Sequence, residues 1–102
     1  MYDEYSKDEF QKTIQSHKTV IIDFNAAWCG PCKAILPVFD NYSQQYTETH
    51  FAKIDVDKVP DVSGEMGVQS IPTFIVFQNG KRIKDTRGAN PSALDAMIKL
   101  VI

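Results

Sequence analysis

The chain has 102 residues, enough for one hydrophobic core and too few for a second independent one, so residues 1–102 are expected to form a single domain. Its content of 43% hydrophobic and 24% charged residues is ordinary for a globular protein, and no stretch reaches the roughly 20 consecutive apolar residues needed to cross a bilayer. With 11 basic and 13 acidic residues the net charge is −2, which makes no case for nucleic-acid or membrane-surface binding.

The opening Met1-Tyr2-Asp3-Glu4-Tyr5 carries acids where a secretory or mitochondrial leader carries Lys or Arg. No apolar segment follows it, so a cytoplasmic location is expected. Ser6-Lys7-Asp8-Glu9 has the form of a capping box, with Phe10 and Ile14 four apart behind it, and predicts an amphipathic helix over Lys7 to Ser16. Thr19 to Phe24 is a β-branched, apolar run that reads as a strand buried on both faces, interrupted only by Asp23. Beyond Cys29-Gly30-Pro31-Cys32, the positions Ile35, Leu36, Phe39, Tyr42 and Tyr46 keep helical spacing. Pro37 is expected to kink this second helix, because it lacks a donor and crowds the carbonyl four residues back.

His50 to Val56 reads as a strand, and Val59 to Met66 as a short helix weakened by Gly64. Thr73 to Gln78 and Arg82 to Thr86 flank Asn79-Gly80, the pair that best accepts a two-residue hairpin turn. Asn90 and Pro91 suit the N-cap and first position of a last helix striped by Leu94, Ile98 and Val101. This order predicts an α/β fold with a central mixed sheet and helices on both faces.

Both cysteines of the chain, Cys29 and Cys32, lie three apart where the second helix begins. Side chains at that spacing are about 5–6 Å apart on a helix, so a disulfide can close and open with little backbone movement. A helix N-terminus favours negative charge and hence the thiolate that performs disulfide exchange. Cys29, expected to be the more exposed, is the nucleophile of the reading, and Cys32 is the resolving thiol. Pro31 fixes φ, and Gly30 is expected to permit a tight turn and the approach of another chain.

Other readings compete. A purely structural disulfide would close too short a loop to contribute much, in a compartment expected to be reducing. A structural zinc site needs about four ligands, and His17 and His50 are not expected to cluster, so no metal is assigned. Covalent haem attachment requires His directly after the motif, and Lys33 stands there. A lone Cys-x-x-Cys is only moderately specific, so its surroundings must decide.

Those surroundings resemble the thioredoxin family, and more closely its eukaryotic cytosolic members. Trp28-Cys29-Gly30-Pro31-Cys32-Lys33 is similar to the family's active-site string, and the likeness extends through Lys53-Ile54-Asp55-Val56-Asp57, Ile71-Pro72-Thr73-Phe74 and Gly80-Lys81 to Gly88-Ala89. The resemblance implies a protein-disulfide reductase whose redox group is its own Cys29–Cys32 pair, with no bound cofactor. Electrons would come from NADPH through a separate thioredoxin reductase, and the partners would be disulfide-containing proteins such as peroxiredoxins or reductases. It also implies a cis bond before Pro72 opposite the cysteines, and a contact patch of Trp28, Gly30, Pro31, Ile71, Pro72, Gly88 and Ala89.

By itself, Asp23 could be a carboxylate facing water at a strand edge. The resemblance instead places it buried beneath the cysteines as proton acceptor for Cys32, with Lys53 nearby; burial should raise its pKa and outweigh the opposing pull of Lys53. Trp28 is read as a contact residue more than a core one. Asn25 departs from the family pattern, which usually has an aromatic residue, Thr or Ser there. The absence of further cysteines removes dimerisation through such thiols, and a monomer is expected. The alternatives are a disulfide oxidase or isomerase, disfavoured because Gly30-Pro31 replaces the isomerases' usual Gly-His, and a binding module using the Trp28 and Pro72 face without turnover.

Overall fold

In the computed structural model, which describes residues 1–102, Ser6 Oγ accepts the Glu9 N–H at 3.1 Å while Glu9 Oε2 reaches back to accept the Tyr5 N–H at 3.0 Å. The Glu9 N–H, an orphan donor at the start of helix α1 (Lys7–Ser16), is thereby satisfied, and the residue before the N-cap is tied to the first turn. Strand β2 (Thr19–Asn25) is buried along its first six residues. Val20, Ile22 and Phe24 enter one core with Phe10 and Ile14 of α1 and Val62 of helix α3 (Pro60–Glu65). Ile21 points the other way, into a core with Ile35 and Phe39 of helix α2 (Gly30–Gln45) and Leu94 and Ile98 of helix α4 (Pro91–Val101). The run Val20-Ile21-Ile22 is apolar throughout because a central strand has no wet face. Each such side chain removed from water contributes about 1.5–3 kcal/mol.

The sheet order is β1-β3-β2-β4-β5. Strand β3 (His50–Asp55) runs parallel to β2, while β4 (Thr73–Gln78) and β5 (Lys81–Arg87) complete the sheet antiparallel. Asn79 and Gly80 have φ of 53° and 79°, the double positive that a two-residue turn joining twisted strands requires. The second hairpin strand is one residue longer at each end than its sequence suggests, and it carries a bulge opposite Val76 and Phe77. Helix α2 continues through Pro37 as one element.

Strand β1 (Tyr2–Asp3) has no counterpart in the sequence reading. Two residues are too few to show a period; they are ordered by parallel pairing of Tyr2 with Ala52 and Asp3 with Lys53, extended by a Glu4 N–H to Lys53 carbonyl bond of 2.9 Å. A second correction concerns the histidines. His17 and His50 do cluster, their rings stacked with centroids 4.0 Å apart, because the end of α1 lies over the start of β3. No group of three or more His, Cys, Asp or Glu side chains there or elsewhere has the arrangement to hold a metal ion.

Gly64 sits in α3 with ordinary backbone angles, and a Cβ added there meets nothing within 4 Å. Gly64→Ala should therefore stabilise the fold by about 0.5–1 kcal/mol. In a chain of this size that is a rise of roughly 3–6 °C in Tm by calorimetry; an unchanged or lower Tm would contradict the packing described for α3.

Candidate active site

The C-terminal end of β2 delivers the chain into a tight turn in which the Cys29 N–H donates to the Ala26 carbonyl at 3.1 Å. Cys29 is the N-cap of α2, and its Sγ accepts the Cys32 N–H at 3.2 Å. The sulfur thus occupies the position where a helix N-terminus stabilises an anion. Pro31 stands in the first turn, where its missing N–H leaves no bond unmade. Cys29 and Cys32 form a disulfide with Cα atoms 5.3 Å apart, inside the usual range of 4.4–6.8 Å.

The expected difference in exposure between the two cysteines is absent: each is 4% exposed. In the disulfide, Cys29 turns inward and packs with Ala26, Cys32, Val56 and Ile71. Gly30 does not make the tight turn expected of it. It has no positive φ, and a Cβ there would point into open space, so the turn does not depend on glycine.

Across from the cystine, the Ile71–Pro72 bond is cis, and the Ile71 carbonyl oxygen lies 4.0 Å from Cys29 Sγ. The Gly88 N–H donates to the Pro72 carbonyl at 2.8 Å and so ties the loop after β5 to this side. Trp28, Gly30, Pro31 and Ala89 are exposed, and Ile71 and Gly88 are half-buried. Pro72 is buried, so it underlies the surface it was expected to form. Trp28 is 70% exposed, and its Nε1–H donates to Asp57 Oδ2 at 2.8 Å. No sequence pattern links Asp57 to Trp28: the two lie 29 residues apart, and only the end of β3 brings them together.

Asp23 faces α2 from a central strand and is 1% exposed, which rules out the water-facing edge position. Neither carboxylate oxygen has a hydrogen-bond partner. Desolvation pushes its pKa up to about 7, against the smaller downward pull of Lys53. Asp23, Cys32, Lys33 and Lys53 line one cleft of about 180 Å³, with Asn25 at its wall. Asn25 ties down the end of β2, its Nδ2 donating to the Asp23 backbone carbonyl at 3.1 Å.

A cystine across three residues, opening at a helix N-terminus on the C-terminal edge of an open mixed sheet, is the site of a disulfide oxidoreductase. The sequence model of the family Thioredoxin matches residues 2–100. Thioredoxin-1 of Schizosaccharomyces pombe is 44% identical over 91 residues, covering 89% of this chain and 88% of that protein. A Plasmodium falciparum thioredoxin structure superposes with a TM-score of 0.97 at 40% identity over the full length of both chains. A structure from work on the thiol resolving mechanism in yeast mitochondrial 1-Cys peroxiredoxin via glutathione/thioredoxin systems superposes at 0.92, with 37% identity over 97% of this chain and 93% of the other. The chain belongs to the thioredoxin family. Its redox-active group is the Cys29–Cys32 pair, which works without a prosthetic group.

Proposed function

We propose that the chain acts as one domain that reduces protein disulfides, with Cys29 as nucleophile, Cys32 as resolving thiol and Asp23 as proton acceptor. The observation that carries this reading is the burial of Asp23, without a hydrogen-bond partner, in the cleft it shares with Cys32. The Cys29 thiolate attacks a partner's disulfide; a Cys29–partner S–S bond forms and the partner's other sulfur leaves as a thiolate. Cys32 then passes its proton to the Asp23 carboxylate and bonds to Cys29 Sγ, and the second partner sulfur leaves. The two electrons gained by the partner are those lost by the dithiol. Lys53 moderates the charge on Asp23.

Trp28, Gly30, Pro31, Ile71, Gly88 and Ala89 offer a low apolar surface supported by Pro72, and the Ile71 backbone is placed to pair with an extended partner segment. Such a surface accepts many sequences. Peroxiredoxins are one fitting partner class, given the yeast system cited above, and the recharging electrons would come from NADPH through a separate thioredoxin reductase. A dithiol that must stay reduced suits the cytoplasm, and no helix is long and apolar enough to cross a membrane. We assign a monomer without nucleic-acid or membrane partners.

The test is the reduction potential of the Cys29–Cys32 pair, set by dithiothreitol buffers and followed by the fluorescence of Trp28, the only tryptophan. Reference potentials for thioredoxin and protein disulfide isomerase are about −270 and −180 mV, a difference of roughly 4 kcal/mol. A value near the first supports the reductase. A value near the second would make the protein an isomerase or oxidase, and the lack of any two-electron transition would leave a binding module.

A further inference from the structure

The strand register places three charged residues in one row. Asp3 of β1 pairs with Lys53 of β3, and Lys53 pairs with Asp23 of β2. Paired residues of parallel strands project to the same face, so the Lys53 ammonium stands between two carboxylates. They compete unequally. Lys53 Nζ makes an ion pair of 3.5 Å with Asp3 Oδ1, whereas Asp23 has neither an ion pair nor a hydrogen bond.

We propose that Asp3 is a positioning residue that sets the pH dependence of disulfide reduction: by holding the Lys53 ammonium toward the rim of the sheet, it keeps Asp23 short of its counter-ion, so that this carboxyl keeps its proton until the solution is close to neutral and reduction slackens in acid. The proposal rests on the proton-acceptor reading of Asp23. Around Asp23, α2 contributes Cys32 and Lys33, and β3 contributes Lys53; β4 contributes no charge, since Phe74 stands opposite. On the outer side of Lys53, a second cleft is lined by Asp3, Glu4, Asp55 and Lys58. Removing the Asp3 charge frees Lys53 to swing inward and also deletes a negative charge from the neighbourhood of Asp23. Both effects favour the ionised Asp23.

Asp3→Asn preserves the shape and backbone pairing of β1. In that variant the titration midpoint of Asp23, followed by the ¹³C shift of its carboxyl carbon, should fall by about half a pH unit, the size of one charge acting through water at roughly 6 Å. The acid limb of the rate of insulin-disulfide reduction should move with it, making the variant about two- to threefold faster at pH 6. Asp3→Glu should restore the original midpoint, and about 1 M salt, with a screening length near 3 Å, should erase most of the difference. In a Lys53→Gln background the Asp3→Asn effect should fall below half.

An Asp23 midpoint unmoved by Asp3→Asn at low salt would overturn the role of Asp3 and leave the reading of Asp23 intact. An undiminished effect in the Lys53→Gln background would overturn the action through Lys53. A midpoint that moves while the rate profile stays fixed would overturn the proton-acceptor reading, and with it the contribution of Asp3 to catalysis.

Discussion

Cys29→Ser abolishes disulfide reduction, lowering the rate of insulin reduction by more than about 10³-fold, because a serine hydroxyl at neutral pH holds almost no anion and oxygen is a poor nucleophile toward sulfur. Its fold should survive, since the exchanged side chain caps α2 and serine is a strong N-cap. Cys32→Ser gives the complementary result. The first attack proceeds, the resolving thiol is missing, and a mixed disulfide through Cys29 accumulates, visible on non-reducing gels and dissolved by dithiothreitol. Trapping through Cys32 in a Cys29→Ser protein, with none through Cys29 in Cys32→Ser, would reverse the order of attack. Because both cysteines are equally buried in the disulfide, the order does not follow from residue exposure. The proposed order rests instead on the position of Cys29 Sγ at the helix N-terminus, where the Cys32 N–H already points at it.

Asp23→Asn slows reduction about 10- to 100-fold at pH 7, and the deficit shrinks in alkaline solution, where solvent base takes the proton that Asp23 would have accepted. In the wild type the rate should decline as pH falls through about 7, where Asp23 takes up a proton and ceases to be a base. A deficit of equal size at every pH would remove the proton-acceptor role.

The same residue sets a stability signature of defined sign. Its folded pKa of about 7 lies above the ordinary aspartate value of 3.8, so between these limits the native state binds more protons than the unfolded chain. Stability therefore declines as pH rises from about 4 to 7, and the loss is complete above 7. Asp23→Asn should remove this component: urea unfolding should find the variant increasingly favoured over the wild type from pH 4 to pH 8, by up to about 4 kcal/mol. A wild-type-minus-variant difference that stays flat with pH would mean that Asp23 is not desolvated as described.

Much of this site was legible in the chain because its parts are local. The capping box at Ser6, the Asn79-Gly80 turn and the Cys29–Cys32 spacing each depend on contacts within about four residues, and backbone sterics and hydrogen-bond reach decide them wherever the segment is placed. Asp23 was conspicuous for a related reason: a charge inside a β-branched, apolar run breaks a pattern that periodicity makes visible.

The sequence by itself determined the helices, four of the five strands and the identity of the reacting sulfurs. Only the tertiary structure decided what surrounds them. Strand β1 exists because β3 offers it an edge, the Trp28–Asp57 bond joins residues 29 apart, and the two histidines meet only when α1 is laid over the sheet. The charge state of Asp23 belongs to the same class. Its acidity depends on how much water α2 excludes and on which carboxylate holds Lys53, and both are set by distances between strands rather than by neighbours along the chain.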